Sequence, residues 1–369
     1  MKKVLFITAF VPSDFTAGEK TTKIMLNELS QNYDVDLIYF KYKEEKEYIP
    51  EKSNIKVVRS FSNSLSLKIL NILLFPFVHP LFSVRFNWKR LFDIRRLIKE
   101  EQYECVVCNY SQTFLYAKFL DKRIPFFLYS MDVIAQRVSR TSGKLIQYFC
   151  RKSEKYCMNI PNSYLFSVSK KDCQLIKDLY GLPSHAALAY IEDQILKAVP
   201  EKIDENSFVF MGNWKRNDNL DGLIWFFNKV APIIDFDVVI NIVGKYVPDN
   251  VIGSVNPHVK VNVLGFVDNP YPLISNCRAF LSPLFSGAGV KQKVFEAMAC
   301  GTPVIGNEIA FEGIDTHFGA YMLRFKNENE FVECMKKEFP INERIEFKKA
   351  FSSAYRSKTI PQYIKEIVE

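Results

Sequence analysis

Short apolar segments recur along this chain, and each is separated from the next by enough residues for a helix. That alternation constrains the fold more than any other feature of the sequence. In the first half the segments are Val4 to Phe10, Val35 to Tyr39, Ile55 to Val58, Cys105 to Cys108, Phe126 to Tyr129 and Leu165 to Val168. In the second half they are Ser207 to Met211, Val238 to Val243, Val259 to Leu264, Ala279 to Ser282, Thr302 to Ile305 and Ala320 to Leu323. Strands this apolar belong inside a sheet covered on both faces, which is the situation of a parallel, doubly wound α/β domain. A chain of 369 residues, 48% hydrophobic and 14% aromatic, has the material for two such domains of roughly 150 to 200 residues each. Glycine, proline and polar residues cluster from Gly181 to Asn206, where periodicity lapses, so the link between the two is expected there.

The charge is lopsided. Of the 49 Lys and Arg and 41 Asp and Glu, residues 1–185 hold 29 and 18, leaving 20 and 23 for the remainder. The basic first half suits an anionic partner, and the absence of a zinc finger, an RNA-binding aromatic signature or a lysine-rich tail counts against nucleic acid. Eight cysteines follow no framework spacing. Cys105 and Cys108 form a CxxC inside the apolar run ECVVC, where buried thiols of a strand are the expectation, in a reducing, cytoplasmic compartment. The opening MKKVLFITAF leads into PSDFTAGEK without a small-residue cleavage site and is read as the first buried strand rather than a signal sequence. Residues Leu65 to Phe82 are very apolar, but Lys68, Pro76, His79 and Pro80 interrupt them, so no spanning helix is expected.

The densest chemistry lies from Phe285 to Gly306, FSGAGVKQKVFEAMACGTPVIG. Gly287 and Gly289 free the backbone for positive φ and close approach to a ligand, and Lys291, Lys293 and Glu296 follow on the first turns of a helix. Backbone N–H groups, the positive end of the helix dipole and two ammonium groups attract phosphate oxygens, while a carboxylate accepts hydrogen bonds from vicinal ribose hydroxyls. This is the chemistry of a nucleoside diphosphate site.

The string resembles the donor-site signature of glycosyltransferase family 4, the retaining glycosyl transferases of group 1. The resemblance continues through MGNWKRNDNLDGLIWFFNKVAPII from Met211, INIVGKYVP from Ile240 and VLGFVDNPYPLISNCRAFLSPL from Val263, covering nearly all of residues 207 to 315 in order. It implies the GT-B architecture, two Rossmann-like doubly wound α/β domains facing a central cleft. Residues 1–185 would form the acceptor-binding domain and 186–354 the nucleotide-sugar donor domain, with the helix in 355–369 packing back on the first. The implied donor-binding set is Gly18, Gly212, Lys215, Arg216, Phe266, Val267, Gly287, Ala288, Gly289, Val290, Lys291, Lys293 and Glu296, with Phe266 and Val267 contributing backbone to base recognition. Lys293, Lys291 and Asp132 are the implied catalytic residues.

Several positions depart from the family pattern. Met131 stands where many relatives carry a histidine beside Asp132, so Asp132 either orients the acceptor hydroxyl or caps a helix. Gly212 is followed by Asn213 instead of arginine, and Asp218 takes the place of a lysine; Lys215 and Arg216 in the same loop either substitute or are solvated loop charges. Ala288 occupies the place of the first of two glutamates, leaving the sugar open. Gly18 matches the last glycine of the family's first loop, where it either admits donor or acceptor or starts the helix. Asp34/Asp36 and Asp235/Asp237 form D-x-D strings at the wrong strand ends for a ligand, and no metal or other cofactor is expected.

From Ser83 to Lys99, SVRFNWKRLFDIRRLIK places Val84, Trp88, Leu91, Phe92, Ile94 and Ile98 near one helical face and Arg85, Lys89, Arg90, Arg96 and Lys99 mostly on the other. Such a helix is either an interfacial anchor on an anionic membrane surface or an ordinary surface helix. The resemblance thus implies a metal-independent, retaining glycosyltransferase, moving a sugar from a nucleotide-diphosphate sugar of UDP or GDP type. Its acceptor would be a saccharide, lipid-linked or protein-linked, in bacterial surface glycan assembly, in the cytoplasm or peripheral at the inner face of the membrane. The alternatives are an inactive GT-B carbohydrate-binding or partner subunit, motivated by the departures, and a nucleotide-sugar epimerase, which four histidines in all make less apt.

Overall fold

The structure, a computed structural model, describes the chain apart from residues 14–15, 63, 188–190, 192, 253–255, 288, 356–358 and 369, and apart from the side chains of 17 and 193. Ala288 therefore lies outside the described residues. Two compact units are present, Met1–Leu188 with Lys358–Glu369, and Ala189–Ser357.

The first unit begins with β1 (Lys3–Thr8), α1 (Ala17–Leu29), β2 (Asp34–Lys41) and β3 (Ile55–Ser62). Three helices follow, α2 (Leu65–Leu74), α3 (Pro80–Ser83) and α4 (Trp88–Glu100). Then come β4 (Cys105–Asn109), α5 (Phe114–Phe119), β5 (Phe126–Ser130), α6 (Ile134–Thr141), α7 (Lys144–Met158), β6 (Ser163–Ser167), α8 (Lys170–Tyr180) and β7 (His185–Ala186). The strands form one parallel sheet in the order β3-β2-β1-β4-β5-β6-β7. Central strands are buried at nearly every position, whereas edge strand β3 alternates with solvent, as a sheet clothed by helices on both faces requires.

The second unit runs α9 (Asp193–Lys197), β8 (Asp204–Met211), α10 (Asn217–Trp225), β9 (Val238–Val243), β10 (Val259–Gly265), α11 (Tyr271–Asn276) and β11 (Cys277–Ser282). It continues with α12 (Gln292–Ala299), β12 (Val304–Gly306), β13 (Met322–Arg324), α13 (Glu328–Met335) and α14 (Ile341–Tyr355). Its sheet is parallel, in the order β10-β9-β8-β11-β12-β13. Finally α15 (Ile360–Val368) packs with the first unit, where Tyr363 lies 4.9 Å from the ring of Phe166 on β6.

Each expected strand is present within a few residues of its expected ends. Val4 to Phe10 is shorter than expected, because β1 ends at Thr8, and β7 is an extra strand inside the segment expected to be linker. Cys105 and Cys108 are both buried on β4. An odd separation on a strand points the two thiols to opposite faces of the sheet, so the CxxC makes no shared ligand set, and burial pushes Cys108 up to about 12.

The helix expected over 83–99 is corrected. The chain breaks after α3, and α4 starts at Trp88 with the Asn87 side chain accepting from the N–H of Lys89. Two of the supposedly outward cations point inward: Arg85 is 5% and Arg90 8% exposed. The Arg85 guanidinium donates to the Ala9 carbonyl at 2.9 Å, and Arg90 to the carbonyls of Arg85 and Ser62. Phe92, expected on the apolar face, is 60% exposed.

Candidate functional site

In each unit the strand order reverses beside its first strand, between β1 and β4 and between β8 and β11. The loops leaving the carboxyl ends on either side of such a reversal part from one another and open a crevice for ligand.

In the second unit the loop after β11 carries the glycines. Gly287 and Gly289 have φ of 106° and 73°, left-handed conformations that an L side chain strains to adopt. Lys291 occupies the N-cap position of α12 but gives no side-chain cap. Its ammonium instead donates to the Gly289 carbonyl at 2.6 Å and lies 3.5 Å from the carboxylate of Glu312, which belongs to the loop after β12. Val290 is half-buried beside it.

Lys293, the second residue of α12, donates to Oδ1 of Asn219 at 2.8 Å, bridging the start of α12 to the segment after β8. Asn219 is held in turn, its amide donating to the Asn213 carbonyl at 3.0 Å. Burial lowers the Lys293 pKa to about 8, outweighing the nearby Asp218 carboxylate, which raises it. Glu296 is buried on the same helix, where the Gln292 amide donates to it at 3.2 Å.

Gly212 closes β8. A side chain there would meet the Asn219 amide at 3.1 Å, so glycine leaves room for the residue that holds Lys293. Lys215 is exposed, with its ammonium 3.9 Å from the centre of the Tyr246 ring. Arg216 grips Asp218 through two hydrogen bonds of 3.0 and 2.6 Å. Phe266 is 60% exposed just past β10, under the Lys245 ammonium at 4.8 Å, and Val267 beside it is half-buried. The described members of the expected donor set in this unit thus gather at the carboxyl ends of β8, β10 and β11. Among the described residues, no three His, Cys, Asp or Glu side chains converge as a metal-holding group.

In the first unit the corresponding crevice holds Gly18 and Asp132. Gly18 is the second residue of α1, and a Cβ on it would fall 2.3 Å from the Tyr110 hydroxyl. Tyr110 leaves β4 with φ of 68°, an uncommon conformation for a tyrosine, and its ring meets Phe10 edge-on at 4.9 Å. Burial raises the Tyr110 pKa, with the Glu19 and Asp132 charges adding to the effect.

Asp132 follows β5 and pairs with Arg137 at 3.5 Å. It does not cap the helix it precedes, which corrects that alternative. The first N–H groups of α6, from Ile134 and Ala135, go to the two carboxylate oxygens of Glu154 at 2.8 Å each, and the Tyr180 hydroxyl donates to the same carboxylate at 2.7 Å. Burial raises the Glu154 pKa to about 7.

Sequence reasoning missed Asn219, Glu312, Tyr110 and Glu154. The only sequence signal for Asn219, Glu312 and Tyr110 was position, each lying in the segment that follows a strand's carboxyl end, and Glu154, deep in α7, had none.

With this geometry in hand, comparison with known proteins places the fold. Residues 205–337 match the profile of the family described as glycosyl transferases group 1. A protein of Klebsiella pneumoniae, described as an uncharacterized 44.6 kDa protein in the cps region, is 25% identical over 96% of this chain and 100% of its own length. Among solved structures, WaaG, a glycosyltransferase involved in lipopolysaccharide biosynthesis, superposes with a TM-score of 0.64 at 11% identity, over 99% of this chain and 98% of its own. HepE of Anabaena in complex with UDP gives 0.68 at 14% identity, over 99% of both chains. TarM gives 0.66 at 11% identity, over 99% of this chain and 97% of its own. The two parallel sheets flanked by helices are those of the GT-B fold.

Proposed function

We propose that this chain, whose residues 205–337 match the group 1 glycosyl transferases, transfers a sugar from a nucleotide-diphosphate sugar to a glycan acceptor, with retention at the anomeric carbon, in surface glycan assembly. The observation that carries this reading is the gathering of Lys291, Lys293, Glu296 and two positive-φ glycines at the reversal of the second sheet. The surroundings of relatives agree: the Klebsiella protein is described from a cps region, WaaG from lipopolysaccharide biosynthesis, and HepE was solved with UDP.

Departure of a nucleoside diphosphate develops negative charge on phosphate oxygen as the sugar becomes cationic. The ammonium groups of Lys291 and Lys293 and the N-terminus of α12 meet that charge, with the backbone N–H groups of Gly287, Gly289 and Val290 around the phosphates. Glu296 accepts from the ribose hydroxyls, and the backbone at Phe266 and Val267 reads the base. Lys215 supplies a further cation at the loop after β8. Arg216 joins it only by exchanging its Asp218 partner for phosphate. Gly18 lets the donor phosphate or the acceptor approach the backbone, and Asp132 orients the incoming hydroxyl, whose proton the departing phosphate oxygen takes, so retention needs no separate protein base. The acceptor proposed is a lipid-linked saccharide met at the cytoplasmic face of the membrane.

The experiment is a screen of UDP- and GDP-sugars for hydrolysis and transfer, with UDP-sugars first because HepE was solved with UDP, followed by proton NMR of the fresh product. A glycoside with the donor's anomeric configuration is expected. An inverted product would overturn the retaining mechanism and make Asp132 a general base.

A further inference from the structure

Helix α2 is turned inside out. Its buried residue is Asn71, 1% exposed, whose amide donates to the Val84 carbonyl at 3.0 Å and whose oxygen accepts from the Asn87 side chain at 3.0 Å. Those bonds fix the helix's rotation, because a buried amide released from its partners costs more than an exposed leucine. The consequence is that Leu65, Ile69, Leu70, Leu73 and Leu74 stand between 45% and 73% exposed. Just beyond the helix, Phe77 is 87% exposed.

The apolar surface continues onto α7. Two residues after Phe77, the His79 ring lies 5.6 Å from Phe149 of α7, and the His79 N–H donates to the Ser153 hydroxyl at 2.8 Å. One turn before Phe149, Leu145 is 86% and Ile146 50% exposed. A patch of this kind on a water-soluble surface marks a contact.

Charge decides what the contact is. Residues 53–92, which hold α2 and α3, contain six basic residues and no acidic one. Residues 133–158, which hold α6 and α7, contain six basic residues and a single acid, Glu154, which is 0% exposed. Apart from Arg85 and Arg90, none of these cations is buried. Leucines facing outward among lysines and arginines, with Trp88 38% exposed at the start of α4, have the composition of an interfacial surface that sits in the headgroup layer. An apolar protein partner would need no such exclusion of acidic side chains.

We infer that the α2–α7 face of the first unit docks on an anionic lipid bilayer. The contact thus takes in α2, within the 65–99 stretch weighed as an anchor, and extends to α7. This deepens the reading of a lipid-linked acceptor and rests on it for its purpose, but the docking itself is independent of catalysis.

The test is cosedimentation of the full chain with vesicles of phosphatidylcholine alone and of phosphatidylcholine with phosphatidylglycerol. Binding to the anionic vesicles is expected, weakening as salt rises, because surface attraction decays over about 8 Å at physiological ionic strength. Leu70→Asp with Leu73→Asp is expected to abolish binding and leave hydrolysis of a soluble nucleotide sugar unchanged. Lys144→Gln, Lys152→Gln and Lys155→Gln together are expected to weaken it by roughly 100-fold, from about 1 kcal/mol for each cation at the surface. Thermal unfolding of each variant checks that these exposed substitutions leave the fold intact, with Leu70→Asn and Leu73→Asn as replacements if the aspartates do not. No binding to either vesicle at low salt, or equal binding by wild type and the leucine variants, would overturn the inference. A dimer of the wild type that the leucine variants disperse would also overturn it, in favour of a second copy as occupant. Failure of hydrolysis with docking intact would instead count against the proposed function alone.

Discussion

Lys293 is the residue in which geometry and charge meet most closely. Its ammonium is partly buried, depressed to about 8, and held by the neutral Asn219 amide, so it loses its proton more readily than an ordinary lysine. Below that value it is a full cation able to meet a diphosphate, and above it the charge goes. The account predicts that kcat/KM for the donor declines as pH rises through about 8, and that Lys293→Ala removes this limb while lowering kcat about 100-fold. A pH profile unchanged by the substitution would dissociate Lys293 from the donor. Glu296→Ala should act differently, raising the donor KM by the equivalent of about 1.5 to 3 kcal/mol with little change in kcat, because a ribose hydrogen bond is made equally in the ground and transition states. Steady-state kinetics on both variants separate the two roles. Lys291, Lys293 and Glu296 were legible in the sequence because they cluster within one loop and one helical turn. Asn219 and Glu312 were not, because their partners lie 74 and 21 positions away.

At the scale of elements, buried charges fasten helix ends. Glu154 takes the first N–H groups of α6, and its pKa of about 7 lies above the ordinary carboxyl value of 4.5. The folded chain therefore binds more protons than the unfolded chain between those values, so stability declines as pH rises through that window and levels above it, by about 3 kcal/mol at most. Urea unfolding at pH 5 and pH 7.5 should show that slope in the wild type and a flatter one in Glu154→Gln; an equal slope in both would reassign it. In the second unit Arg344 of α14, 0% exposed, donates to the carbonyls of Ser275, Cys277 and Gly301 and to the Thr302 hydroxyl. Lys348, one turn on, donates to those of Ile195, Ala198 and Ala299. The two cations thus gather the carboxyl ends of α9, α11 and α12, where the helix dipoles favour positive charge. Arg344→Met should cost about 3 kcal/mol or more in urea unfolding, since it strands several buried acceptors, and a loss under 0.5 kcal/mol would contradict the role. The strands were readable because buried parallel strands carry their signal locally, in unbroken apolar runs. The inward turn of Arg85 between α3 and α4 was not, since the Ala9 carbonyl that receives it lies 76 positions away. A basic residue in an amphipathic pattern looks solvated until a remote carbonyl claims it.

Across the whole molecule, two parallel sheets present loops at their carboxyl ends, and those of the second bring Lys291 and Lys293 together beside the reversal of the strand order. In the proposed mechanism lysines and a helix terminus meet the phosphate charge, so transfer is expected to persist in EDTA; loss on chelation with recovery on adding Mg²⁺ or Mn²⁺ would require a cation in the mechanism. The most direct test of the central claim is calorimetric titration of UDP and GDP into the wild type and into Lys291→Ala with Lys293→Ala. The account predicts that one nucleotide binds the wild type and that the double variant binds it at least about 100-fold more weakly, two charge-assisted hydrogen bonds having been removed. Equal affinity in a folded double variant, or no binding of either nucleotide to the wild type, would contradict it.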